Sequence, residues 1–164
     1  MQVGAVFGII FAIIVMALLL AFGSGQIINI ICLGNLAQTN KAIRDLEFLV
    51  DGIQASGPES SDTFGVSIPG NARLCFVDPE HPEPNFLGRW NPDPDSFIEL
   101  DIKEKGYNLW IEYGCGSSDK GYRMDYVVVR GPSDTTNRNF CIGSGETLLL
   151  TNIGVEVRVE PFTG

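Results

Sequence analysis

One histidine, no Cys-x-x-Cys pair and eleven basic residues against twenty acidic ones set the first limits on this chain of 164 residues. A net charge of −9 leaves no basic stripe to neutralise phosphates, so a nucleic-acid partner is excluded. It also leaves no polybasic patch for anionic lipid. The single histidine, His81, stands between Glu80 and Pro82, outside any nucleophile setting such as G-x-S-x-G, and reads as an exposed loop residue. Asp78, Glu80, Glu83, Asp93 and Asp95 offer the oxygens that calcium takes, but not in the D-x-D-x-D-G order, and read as solvated loop carboxylates. Gly143-Ser144-Gly145 lacks the downstream lysine and following helix of a phosphate loop. No catalytic residue, cofactor or metal site is expected, and the chain does not read as an enzyme.

What the chain does have is a long uncharged run. From Val3 to Phe22 there is no charge and no strong hydrogen-bonding side chain. Twenty helical residues rise about 30 Å, the thickness of a bilayer's hydrocarbon core. Leu, Ile, Val and Phe dominate the run, and each favours insertion by roughly 0.3–0.6 kcal/mol at the bilayer centre. The pattern predicts a retained transmembrane helix with the distal chain outside the cell. A cleaved secretory signal, with Ala21-Phe22-Gly23 as the peptidase site, is the rival reading; its apolar core would be shorter and would follow a basic region. Gly4, Gly8 and Ala12 recur at every fourth position, a small-residue face of the kind that lets helix backbones approach and self-associate.

Gly23-Ser24-Gly25 reads as a kink or a surface break, yet the next charge is Lys41. A continuous helix from Val3 to Leu36 would measure about 50 Å, more than one bilayer. The excess apolar length calls for a cover. Beyond it, Cys32, Leu36, Thr39, Ile43, Leu46, Val50 and Ile53 alternate steps of four and three, an a/d seam that suits either a short coiled coil or packing on the chain's own domain. The helix is expected to end near Gly52–Ala55, with Ser56–Asp62 as a loop.

The remainder reads as β-rich. Phe64–Ile68 and Ala72–Val77 flank Pro69-Gly70-Asn71 as a candidate hairpin. Asp78–Asp95 is a proline-rich excursion anchored by Phe86, Leu87 and Trp90. Ile98–Lys103 alternates and reads as a strand, with a short helix as the alternative because Ser96 and Glu99 have capping-box spacing. Tyr107–Tyr113, Tyr126–Arg130, Phe140–Ile142, Thr147–Thr151 and Val155–Val159 complete the strands, the last two joined at Asn152-Ile153-Gly154. The expected architecture is α+β: a long N-terminal hydrophobic helix, transmembrane over residues 3–22 and an amphipathic stem over 26–55, followed by an antiparallel β-sandwich-like extracellular domain over 63–164.

Scattered cysteines in a small acidic domain suit disulfides in an oxidising compartment. Cys75 with Cys141 would close a loop of about 67 residues, worth about 4 kcal/mol on the chain-entropy model. Cys115 would then be left to meet Cys32, but three pairings exist and Cys32 also suits a bond to a neighbouring chain.

This layout resembles archaeal type IV pilin-like surface proteins. Phe7-Gly8-Ile9-Ile10-Phe11-Ala12-Ile13-Ile14, Ile31-Cys32, Ala37-Gln38-Thr39-Asn40-Lys41, Ser67-Ile68-Pro69 and Leu74-Cys75-Phe76-Val77-Asp78 are similar to segments of a group of archaeal single-span surface proteins. In pilin families the apolar helix packs into a filament core after a basic leader is removed. Here no Lys or Arg precedes Gly4-Ala5. The resemblance implies a structural or adhesive surface protein that associates through its N-terminal helix. A monomeric membrane-anchored binding module of unknown ligand is the alternative, and a protein released at Gly23 a third.

Overall fold

The computed structural model describes residues 3–84, 90–93, 97–113, 119–129 and 139–162, except for the side chains of 3–6 and 21–29. Helix α1 runs Val3–Ala55. Strands β1 (Ser61–Gly65) and β2 (Arg73–Phe76), helix α2 (Ile98–Lys105), and strands β3 (Leu109–Glu112), β4 (Lys120–Tyr122), β5 (Val127–Val128), β6 (Phe140–Ile142), β7 (Thr147–Asn152) and β8 (Val157–Pro161) follow. The chain divides into two compact units, residues 1–34 and 35–164.

The first unit corrects the transmembrane expectation. Among the described residues no helix is long and apolar enough to cross a membrane. The apolar stretch with described side chains covers residues 7–20; its length of about 21 Å falls short of a hydrocarbon core of about 30 Å. The glycines at 23 and 25 do not break the helix, which continues through them. Each costs about 1 kcal/mol relative to alanine, but extending a helix already nucleated on both sides is favourable enough to absorb that.

In the second unit the seam of α1 is buried from Thr39 through Ile43, Leu46, Val50 and Ile53, while Lys41, Arg44, Asp45 and Asp51 point to solvent. Ile43, Leu46, Val50 and Ile53 join one apolar cluster with both sheets: Leu74, Phe76, Leu109, Ile111, Phe140 and Ile142 from one, and Leu148, Leu150, Val157 and Val159 from the other. The four-three spacing therefore records packing on the chain's own strands. Fully burying each aliphatic side chain contributes roughly 1.5–3 kcal/mol, which fixes this half of α1 to the domain.

The strands form two four-stranded sheets, ordered β1-β7-β8-β5 and β4-β3-β2-β6. Among the described residues the pairings are antiparallel except β5 with β8, which is parallel, so the expected antiparallel sandwich-like domain is a mixed sheet and an antiparallel one. Pro69-Gly70-Asn71 is a turn, but it carries the chain from β1 in one sheet to β2 in the other and makes no hairpin. The β7–β8 hairpin stands where Asn152-Ile153-Gly154 placed it. Burial alternates along β7, with Leu148, Leu150 and Asn152 inward. In β2, by contrast, Leu74, Cys75 and Phe76 are all buried, because the second face of that sheet is covered too: Cys75, Val77, Trp110 and Cys141 pack with Trp90 and Ile102.

Residues 98–105 form α2 instead of a strand. Ile98 and Ile102 alternate in sequence but also lie four apart, so the same residues make a helical face toward Trp90 and Trp110. Glu99 and Asp101 sit in the first turn and Lys103 and Lys105 in the last, as the helix dipole favours. Lys105 pairs with Asp101 at 2.9 Å. Phe97, without a side-chain cap, stands at the N-terminus; Ser96, the capping-box candidate, lies outside the described residues. Gly106 closes the helix at φ 65°, its N–H reaching the Ile102 carbonyl.

Candidate functional site

Among the described residues, an apolar surface on the first unit and a cavity in the second are candidates for a partner. In the first, Phe7, Ile9, Phe11, Ile13, Met16, Leu19 and Leu20 are each at least 62 % exposed. Ile30, Ile31 and Leu33, further along the helix, are exposed as well. Isolated exposed hydrophobes are ordinary; a contiguous run of this kind marks an interaction surface. Gly8 and Ala12 lie exposed on it, and a Cβ built on Gly8 would meet nothing within 4 Å. The side-chain position of Gly4 lies outside the described residues.

The cavity, of about 550 Å³, is lined by Val77, Asp78, Pro79, Glu80, Gly106, Asn108, Arg123–Val129 and Glu156. Tyr126 on its wall adopts φ 63°, a left-handed conformation uncommon for a tyrosine. Asn108 is buried beneath it. Its Nδ2 donates to the Met124 carbonyl at 2.8 Å and the Val127 carbonyl at 2.9 Å, while its Oδ1 accepts from the Met124 N–H at 2.8 Å.

Asn139 and Asn152 do similar work elsewhere. Asn139 Oδ1 accepts from the Asp78 N–H, and its Nδ2 donates to the carbonyls of His81 and Glu83, pinning the proline-rich excursion. Asn152 Nδ2 donates to the carbonyls of Ile53 and Gln54, satisfying the last turn of α1. All three asparagines were invisible as clamps in the sequence. The available signal was a polar residue placed directly against strand positions that alternation makes inward, as in Asn108-Leu109 and Asn139-Phe140.

His81 is exposed and engages the fold through its backbone, as acceptor from Asn139 and donor to the Asp78 carbonyl. The carboxylates of the excursion do not gather: among the described residues, the convergent donor group is Cys75, Cys141 and Glu112. Asp78 Oδ1 instead accepts the Glu80 N–H in a local turn. Asp95, Phe86 and Leu87 lie outside the described residues; Trp90 is buried, its indole N–H donating to the Pro82 carbonyl at 2.8 Å.

Cys75 and Cys141 are bonded, with sulfurs 2.01 Å apart. They face each other in register on β2 and β6. Cys32 also belongs to a disulfide; Cys115 lies outside the described residues. Beside the Cys75–Cys141 bond, Glu112 meets Arg73 at 3.4 Å. Burial pushes the Glu112 carboxyl above its ordinary range, against the opposing pull of Arg73, with Asp119 adding to the rise. Burial likewise raises the Tyr113 and Tyr122 phenols, and Tyr122 donates to Glu47 at 3.1 Å.

The sign of the Glu112 shift has a consequence for stability. A carboxyl raised on folding favours the protonated folded state, so its contribution is present at low pH and is lost as pH climbs through the folded value. Glu112→Gln is therefore expected to gain stability relative to the parent on going from pH 4 to pH 7. Urea midpoints at the two pH values test this; a Gln variant that loses ground toward pH 7 would show that the Arg73 pair outweighs burial.

The chain matches no protein-family model, no curated protein and no solved structure.

Proposed function

We propose that this chain is a structural or adhesive surface protein whose copies associate through the apolar N-terminal part of α1, displaying the β-rich unit. The observation that carries the reading is the exposed run from Phe7 to Leu20, continued at Ile30, Ile31 and Leu33. The disulfide between Cys75 and Cys141 supports a place in an oxidising, extracellular setting. Pilin-like assembly, in which such helices line a filament core, is the specific form we favour. Helices from sister copies supply the apolar cover that solvent does not.

Gly8→Leu tests this directly. The chain's own atoms leave room for the added side chain, so the substitution should spare the β-rich unit and act on helix–helix approach alone. Cross-linking of the purified chain in mild detergent is expected to give oligomers that the variant reduces severalfold. Oligomers unchanged by Gly8→Leu, or a monomer that floats with lipid vesicles, would overturn the proposal.

A second reading is favoured by one observation. The seam from Ile43 to Ile53 packs within its own domain, and the same unit carries a cavity of about 550 Å³ open at the surface, which suits a monomeric binding module. Light scattering that reports one chain per particle at every concentration would select it.

A further inference from the structure

We propose that Cys75, Cys141 and Glu112, when the disulfide is reduced, form a binding site for a zinc-class divalent cation. The sequence gives no hint of it, since the three residues come from distant strands and share no metal-binding spacing. The sheet brings them together. Cys75 and Cys141 are directly opposed on β2 and β6, and Glu112 lies on β3 at the other edge of β2. One oxygen of Glu112 and the two sulfurs all lie within 4.8 Å of one another.

That convergence is close to what a tetrahedral ion needs. With metal–sulfur bonds near 2.3 Å and metal–oxygen bonds near 2.1 Å, ligand atoms stand roughly 3.5–3.8 Å apart. Once the bond is reduced, rotation about the side-chain torsions of Cys75 and Cys141 opens the pair toward this spacing. Trp90, Trp110, Ile102 and Val77 wall the cysteines on the apolar side. Glu112 keeps about a third of its side chain exposed, which gives the ion an entry and leaves a fourth position for water. Thiolate ligands select zinc over calcium or magnesium.

The chemistry balances with a dithiol as reductant. The Cys75–Cys141 bond breaks as the dithiol closes its own ring, and two electrons and two protons pass to the cysteine sulfurs. Metal binding then releases those two protons to solvent. Arg73, which pairs with Glu112 at 3.4 Å in the oxidised form, yields its carboxylate to the ion. Disulfide and metal are thus alternative ties between β2 and β6: one for an oxidising medium, the other for a reducing one.

The test uses the full chain with Cys32→Ser and Cys115→Ser, so that the remaining thiols are the two in question. After anaerobic reduction with dithiothreitol and its removal, cobalt(II) is titrated in. The expected result is one cobalt per chain, with thiolate-to-metal charge-transfer absorption and tetrahedral visible bands, displaced by zinc. The oxidised chain should show neither. Glu112→Gln should bind cobalt about tenfold or more weakly, at least as large a loss as an outer-shell partner causes. If the reduced chain loses its fold, zinc should restore the near-ultraviolet circular dichroism of Trp90 and Trp110, because metal binding and folding are then one equilibrium. Absence of thiolate bands, titration of Glu112→Gln identical to the parent, or a reduced chain that zinc neither binds nor refolds overturns the site.

Discussion

Replacing Cys75 and Cys141 together by alanine is expected to lower the unfolding free energy by about 4 kcal/mol. The bond closes a loop with a sequence separation of 66, and removing it returns that loop's entropy to the unfolded chain. The position of β6 adds a local reason. This three-residue strand lies at the edge of its sheet, hydrogen-bonded to β2 alone. Among the described residues its other ties are Phe140, stacked on Phe76 at 5.3 Å between ring centroids, the buried Ile142 and the Asn139 clamp just before the strand. Without the covalent link, β6 should be the first strand to open. Urea unfolding measures the global loss; amide exchange at Phe140–Ile142 measures the local one. A loss below about 1 kcal/mol, or β6 amides as protected as those of β3, would contradict this assignment of the disulfide's role.

How much of this could be read beforehand depends on how local the physics is. The seam of α1 was legible because a spacing of four and three survives whatever packs on it, and Thr39 to Ile53 are buried as that spacing demands. What packs on it was not legible, since a partner helix and the chain's own sheets impose the same pattern. Turns were also local: Pro69-Gly70-Asn71 reverses the chain as read. Which sheet the next strand joins is a non-local matter, and there the hairpin expectation failed. Ile98–Lys103 misled for a different reason. A segment with isoleucines four apart satisfies both the strand and the helix template, and the deciding facts were the terminal charges and Gly106. The apolar N-terminus was legible as apolar, but its described portion is too short to span a bilayer. The approach of Glu112 to Cys75 and Cys141 follows from strand register, which no spacing in the chain announces.

Asn108→Ala should be comparably damaging, with a loss of about 3–6 kcal/mol. Asn108 precedes β3 in one sheet, and its amide reaches Val127 of β5 in the other as well as both backbone groups of Met124. Truncation leaves two carbonyls and one N–H without their partner, each worth about 1–3 kcal/mol when buried. Three such groups together would cost about 3–9 kcal/mol, but the adjoining cavity lets water reach some of them, so the lower half of that span is expected. Asn108→Asp separates hydrogen bonding from side-chain volume. It keeps the acceptor for Met124 but turns a donor into a carboxylate oxygen facing two carbonyls. At pH 7 it should be at least as destabilised as Asn108→Ala. Such a buried carboxyl is favoured in its protonated form on folding, so its stability is retained at low pH and lost as pH rises. Acidification should therefore recover part of the deficit, as the protonated acid donates one hydrogen bond again. Asn108→Ala should show no such recovery relative to the parent. If both variants stay within about 1 kcal/mol of the parent at pH 7, the bridge between the sheets is carried by apolar packing and not by this amide.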